Sequence, residues 1–333
     1  FTKGNKDGSI VKTYTIVNNK NVSKDISELI PLAIDSSWKT SNFNISDSTI
    51  AIQVSKKFKC DEDLNKNLKF DDNKSWKNVL FNVQYIKKFK FFYTSYYYKE
   101  QFYKVENNYP SPLNYMSENE AKFVFTGKPD LTQNMNGLEM SKFFENSDIP
   151  NAIDKWVSSC IIFDYGNIIL NHLINMNIIK DNQISDIHNC IIDYANSVCL
   201  NTTIDSVHKL ILESEDFLGS LAQVIDNHIN ISESFKYIQS DEFNDDMDEY
   251  YKTNITILDP YKFDCSLLLP GNLISSNTNV ISGDTLYWSL DASRLLYNDV
   301  IMEAQTRQFN GIVIIFTILI ILFLILIIFR TKK

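Results

Sequence analysis

The sequence predicts an α+β body carried on one C-terminal membrane helix. The body is expected to be an antiparallel sheet built from N- and C-terminal strands with a helical region inserted between them. Three observations predict this. Apolar residues recur with a period of two before residue 126 and after residue 253. Between residues 138 and 252 the period is that of an α-helix. Gly311 to Phe329 is an uncharged run in which Thr317 is the only polar side chain. The order strand, helix, strand brings the two strand segments into one sheet, because residues 253–309 are too few to bury a sheet face alone. The expected divisions are a strand-rich part at 1–137, a helical insertion at 138–252 and returning strands at 253–309. A span at 310–330 and a tail at 331–333 complete the chain. The polar stretch Gly127 to Gly137, with Pro129, is the expected boundary of the first part.

The N-terminal elements follow from local chemistry. Lys6-Asp7-Gly8-Ser9 reads as a turn and Ser9 to Val17 as a β-branched strand. Asn21 to Leu29 reads as a short helix, capped by Ser23 and stopped by Pro31. Ile50, Ile52 and Val54 alternate with polar residues in a strand from Ser48 to Phe58, and Val79, Phe81, Val83 and Tyr85 repeat that period. Lys87 to Tyr103 is dense in aromatics on both parities: Phe91, Tyr93 and Tyr97 on one face, Phe92, Tyr96 and Tyr98 on the other. A strand with two aromatic faces is either central and covered or a stacking platform for a sugar or base, and the covered strand is the expectation. Ser117 and Glu120 form a capping box that opens a helix running to Phe125.

Three helical stripes follow. Ile153, Trp156, Val157, Cys160 and Ile161 mark the first, which runs on to His172. Ile184, Ile187, Ile191, Ala195 and Val198 mark the second. Ile204 to Ile225 marks the third, capped by Thr202 or Thr203. Strand period returns in Ile255–Leu258 and Cys265–Leu269, and Pro270-Gly271-Asn272 turns the chain. Val280-Ile281, Gly283-Asp284 and Leu286-Tyr287-Trp288 read as a hairpin, and Val300–Phe309 as a last strand leading to the span.

At about 1.5 Å per residue the run Gly311–Phe329 spans roughly 28 Å, close to the hydrocarbon thickness of a bilayer. Its core includes Phe316 and Leu322. A buried core helix is the alternative, and it would need protein around every face. Arg330, Lys332 and Lys333 put three positive charges at the far edge, against Arg307 alone at the near edge. The positive-inside bias therefore places the C-terminus in the cytoplasm and the body on the other side, with Tyr297 and Phe309 near the headgroups. The chain begins with Phe1, which fits a removed signal peptide and type I topology. A tail-anchored protein with a cytoplasmic body is the alternative, and it runs against the charge bias.

The net charge of −9 argues against nucleic acid as a partner. The expected partners are the lipid bilayer, through the C-terminal helix, and a membrane-protein partner. Sequons at Asn21, Asn44, Asn73, Asn201, Asn230 and Asn254 would be glycan acceptors in a eukaryotic secretory protein. The five cysteines allow one or two bridges in an oxidising compartment. Cys190 and Cys199 are excluded as a pair, being about 13 Å apart along one helix, where a disulfide needs about 7 Å or less.

Catalytic chemistry is hard to find. No two of His172, His188, His208 and His228 are three or four residues apart, so no helix face presents a histidine pair to a metal. Asp61, Asp63, Asn65, Asn67 and Asp72 imitate a calcium loop, but Lys66 stands where such a loop needs Gly, so a solvated loop is expected. Asp245, Asp246, Asp248 and Glu249 read as a solvated face or a helix start. No cofactor motif is present. The function expected is that of a non-enzymatic binding module or accessory subunit of a membrane complex. The alternative is an exported carboxylate enzyme, with Asp164 and Glu213 as nominal candidates on neighbouring helices.

Overall fold

The structure is a computed structural model that describes residues 1–19, 30–44, 49–72, 74–126, 147–203, 215–254, 262–278 and 280–331. Its strands are β1 (Thr2–Gly4), β2 (Ile10–Asn19), β3 (Lys39–Asn44), β4 (Thr49–Phe58), β5 (Phe81–Lys90), β6 (Tyr93–Phe102), β7 (Lys262–Leu268), β8 (Asn272–Ser276), β9 (Val280–Ser282), β10 (Thr285–Asp291) and β11 (Val300–Phe309). Its α-helices are α1 (Asp61–Asn67), α2 (Glu118–Thr126), α3 (Ile149–Asn175), α4 (Asp181–Asn201), α5 (Glu215–Ile229), α6 (Glu233–Tyr237), α7 (Asp241–Thr253) and α8 (Gly311–Thr331). The helix expected at Asn21–Leu29, the boundary Gly127–Gly137 and the strand Ile255–Leu258 lie outside the described residues, as does the first part of the third stripe.

The body is mixed α+β, as expected, but it has two sheets where one was expected. One has the order β3-β4-β2-β1-β7-β10-β9 and the other β5-β6-β11-β8. Each sheet combines N-terminal and C-terminal strands. The larger is mixed, because β1 runs parallel to β7 with Thr2 opposite Leu267. The smaller is wholly antiparallel. The partition follows from the pleat. Alternate residues of β2 and β4 turn Ile10, Ile52, Val54 and Phe58 inward, and β5 and β6 present Val83, Tyr85, Tyr96 and Tyr98 to meet them in one buried cluster. The chain switches sheets at Pro270-Gly271. Gly271 has φ +86°, and a Cβ there would lie 2.4 Å from the carbonyl oxygen of Arg307, so only glycine fits.

The aromatic stretch is two strands and not one. Phe91 and Phe92 form the turn between β5 and β6, with Lys90 paired to Tyr93. β6 does lie inside its sheet, but its buried face carries Thr94, Tyr96, Tyr98 and Glu100 and packs on the other sheet, not under helices. The stretch expected as a solvated loop at Asp61 is instead α1. Asp61 Oδ2 accepts from the backbone N–H of Tyr85 at 2.9 Å, and Asn65 bonds the N–H and C=O of Val83, each at 2.8 Å. The helix thereby satisfies the open edge of β5, which would otherwise be free to pair with another chain.

The capping box forms as read: Ser117 N–H donates to Glu120 Oε2 at 2.8 Å, and Glu120 N–H to Ser117 Oγ at 3.4 Å. In the helical part α3 is central, touched by α4, α5, α6 and α7. Ile187, Ile191, Ala195 and Cys199 of α4 repeat every fourth residue and are all buried. Gly166 lets α4 approach, since a Cβ there would lie 2.6 Å from Ile191 Cγ2. A third cluster of Trp76, Phe125, Trp156, Leu295 and Val300 joins the helices to the end of the sheets where β11 begins.

Candidate functional site

α8 is the element that the sequence singled out, and its surroundings define the site. It is long and apolar enough to cross a membrane, and none of its apolar window is buried against the rest of the chain. Gly311 opens it, Phe316 is 63% and Leu322 51% exposed, Phe329 lies in its last turns and Arg330 is exposed near its end. Thr317 Oγ1 donates to Val313 O at 2.8 Å, so the one hydroxyl is satisfied within the helix. Lys332 and Lys333 lie outside the described residues. α3 passes the same test of length and composition, but 61% of its window is buried.

Asn310 joins α8 to the sheet with no intervening linker. Its C=O starts the helix by accepting from Ile314 N–H at 3.1 Å. Its N–H donates to Phe92 O at 2.9 Å, and its Nδ2 donates to Phe91 O at 3.1 Å and Lys90 O at 3.3 Å. Thr94 Oγ1 donates to its Oδ1 at 2.9 Å. Phe309, 66% exposed, sits beside this junction. Tyr297 does not. Its ring packs on Phe125 with centroids 4.3 Å apart, at the other end of β11. The ten residues of that strand separate it from α8 by about 33 Å.

Three polar clusters lie elsewhere. Asp164 is fully buried on α3. Its Oδ1 accepts from Tyr109 OH at 2.5 Å and from Tyr250 OH at 3.0 Å, while Oδ2 and the nearby buried Tyr251 hydroxyl have no partner. Burial pushes the carboxyl up to about 7, against the pull of the two tyrosine hydroxyls. Glu213, the other nominal carboxylate, lies outside the described residues. Between the sheets, Lys12 Nζ meets both carboxylate oxygens of Glu100 at 2.6 Å, and Tyr98 OH donates to Oε2 at 2.8 Å. This pair pins β2 to β6 and is sealed from solvent.

The third cluster was not legible in the histidine spacing. His172 on α3 lies 3.5 Å from Glu242 on α7, and Asp246, one turn further, completes a set whose ligand atoms all lie within 4.8 Å of one another. The His172 ring stacks on Tyr237 at 3.7 Å, and the Tyr237 hydroxyl donates to Asp246 at 2.6 Å. The four-residue spacing of Glu242 and Asp246 was the available signal; the histidine comes from 70 residues upstream. Cys60, Asp61 and Glu62 form a second such group, though Asp61 is committed to Tyr85. These are the groups of the described residues that could hold a metal ion. The five cysteines are all unpaired, so no bridge forms; Cys190 and Cys199 do share α4. Burial pushes Cys199 and Cys265 up to about 12, far from a reactive thiolate.

No model of a known protein family, no curated protein and no solved structure matches this chain. The site must therefore be read from its own chemistry. The shallow concavity between β8 and the β9–β10 turn is lined by Leu269, Leu273, Ile281 and Leu286, with Asp284 as its one carboxylate. Among the described residues its lining holds no second carboxylate to face Asp284.

Proposed function

We propose that this chain is a single-pass membrane-anchored binding module. α8 crosses the bilayer, the basic tail lies in the cytoplasm, and the body stands on the opposite face, engaging a protein partner as an accessory subunit. The observation that carries this reading is the wholly uncovered apolar surface of α8, fused through Asn310 to a folded body. Sidedness rests on Arg330, Lys332 and Lys333 against Arg307. Lys88 and Lys90 also come to the near edge, but only when the body folds, whereas the bias acts on charges close in sequence during insertion. Asn44, Asn201 and Asn230 are exposed, as glycan acceptors would have to be.

The body is proposed to act by binding. Of the two carboxylates named by the sequence, Asp164 is 0% exposed and out of reach of a substrate. Protease added to the non-cytoplasmic face of sealed membranes should remove the body and leave a small membrane-bound C-terminal fragment. Protection of the body with digestion of the tail would reverse the topology. A pull-down from detergent-solubilised membranes should then recover a stoichiometric membrane-protein partner, and its absence would remove the accessory-subunit role.

A further inference from the structure

The β5–β6 turn consists of Phe91 and Phe92, a pair that turn geometry does not select. Two-residue hairpin turns favour Asn-Gly or Gly because they need positive φ. Among the described residues the non-glycine positions with positive φ are Asn177 and Asn230, so neither phenylalanine has it. The two rings meet edge to face at 5.0 Å, and they are 60% and 48% exposed. Phe89, opposite Thr94, and Phe309, opposite Tyr93, are as open as they are. Gathering four exposed phenylalanines at one end of a body implies that something covers them. Lys88 and Lys90 are exposed beside the rings, and Arg307 lies over the ring of Tyr93, 4.3 Å from its centroid. Aromatic rings bordered by cations are the composition of a segment that rests in a membrane interface.

Position decides what covers them. Asn310, the residue immediately before α8, is bonded to the carbonyls of Lys90, Phe91 and Phe92. Wherever α8 enters the bilayer, this tip is held at the same level. We propose that Phe91 and Phe92, with Phe89 and Phe309 beside them, insert into the interface of the leaflet through which α8 enters. The inference rests on the reading that α8 spans the membrane and adds a second contact to it. Two contacts fix the rotation of the body about the anchor. They hold the helical part, which joins the sheets near Val300, at the end away from the lipid.

The test uses the full chain reconstituted in phosphatidylcholine vesicles, with and without brominated acyl chains. Phe92→Trp places a fluorophore at the tip and Phe316→Trp places one inside α8; each exchanges one partly exposed aromatic ring for another. Relative to the parent chain, brominated lipid should quench most of the added emission of both variants, with bromines near the headgroup acting more strongly on the tip. Quenching of Phe316→Trp without quenching of Phe92→Trp overturns the tip contact and leaves the anchor intact, as it would if the rings instead faced a protein partner. Failure of both probes to be quenched overturns the anchor and the inference with it.

Discussion

α3 and α8 look alike in the sequence and are opposite in the molecule. Both are long, apolar and poor in charge, and both pass a test of length and composition for crossing a membrane. α3 is the centre of a folded helical unit and α8 is uncovered. The difference lies in what interrupts them. α3 carries Asp164, which tyrosines from two other segments reach, and Gly166, which admits the side chain of Ile191. Between Gly311 and Phe329, α8 carries only Thr317, which turns back on its own helix. An apolar helix that packs in a protein interior keeps sites for specific neighbours.

Matched truncations should separate the two helices most visibly. Leu170 is 1% exposed on α3, so Leu170→Ala should cost about 2–5 kcal/mol of folding stability. Leu322→Ala on α8 should stay within about 0.5 kcal/mol. Denaturation in nanodiscs measures both, and equal losses would mean that α8 also packs on protein.

A charge sharpens the other side. Leu322→Arg places a guanidinium at mid-helix, at about 2.5–3.5 kcal/mol on insertion scales. Part of the protein should then be released from membranes by alkaline carbonate, and unchanged retention would count against a spanning α8.

Gly166→Ala drives a methyl into Ile191, whose branched side chain is confined by its own helix. The expected loss is about 1–3 kcal/mol, net of the gain in helix propensity. Paired with Ile191→Ala, the two losses should add to less than their sum in a double-mutant cycle, and strict additivity would place the strain elsewhere.

The remaining effect is that of pH. The folded-state pKa of Asp164 is raised, from 3.8 to about 7, so the folded state holds its proton longer than the unfolded chain does. Its contribution is fully present below about pH 4 and is lost as pH rises to about 7, with a slope of at most about 1.4 kcal/mol per pH unit. Asp164→Asn should flatten stability across that window. A slope unchanged in the variant would assign the pH dependence to another group.

Much of the local structure was legible. The strands at Ile10, Thr49 and Val300, the capping box of α2, the stripe of α4 and the hairpin at Gly283 were all readable from period and turn chemistry. The turn at Phe91-Phe92 was not, because neither residue is a turn former. α1 was missed because its polar residues read as a loop, while their real partners are the backbone of a strand some 20 residues on. For the candidate site, the sequence located α8 but misplaced Tyr297, which the ten extended residues of β11 hold about 33 Å away.

Residue pattern alone was enough for the mixed α+β class, the apolar C-terminal helix and the helical character of the middle of the chain. These depend on periodicity and on the presence of charge, quantities carried by neighbouring residues. The division of the strands into two sheets, the place of α3 in the core and the meeting of His172 with Glu242 emerge only in the folded chain. Folding alone brought the Phe91-Phe92 tip to the foot of α8, through bonds such as that from Thr94 to Asn310, 216 residues apart. Contacts of that range are chosen by which surfaces can be buried together and which backbone groups still need partners. No window of sequence contains both halves of that choice.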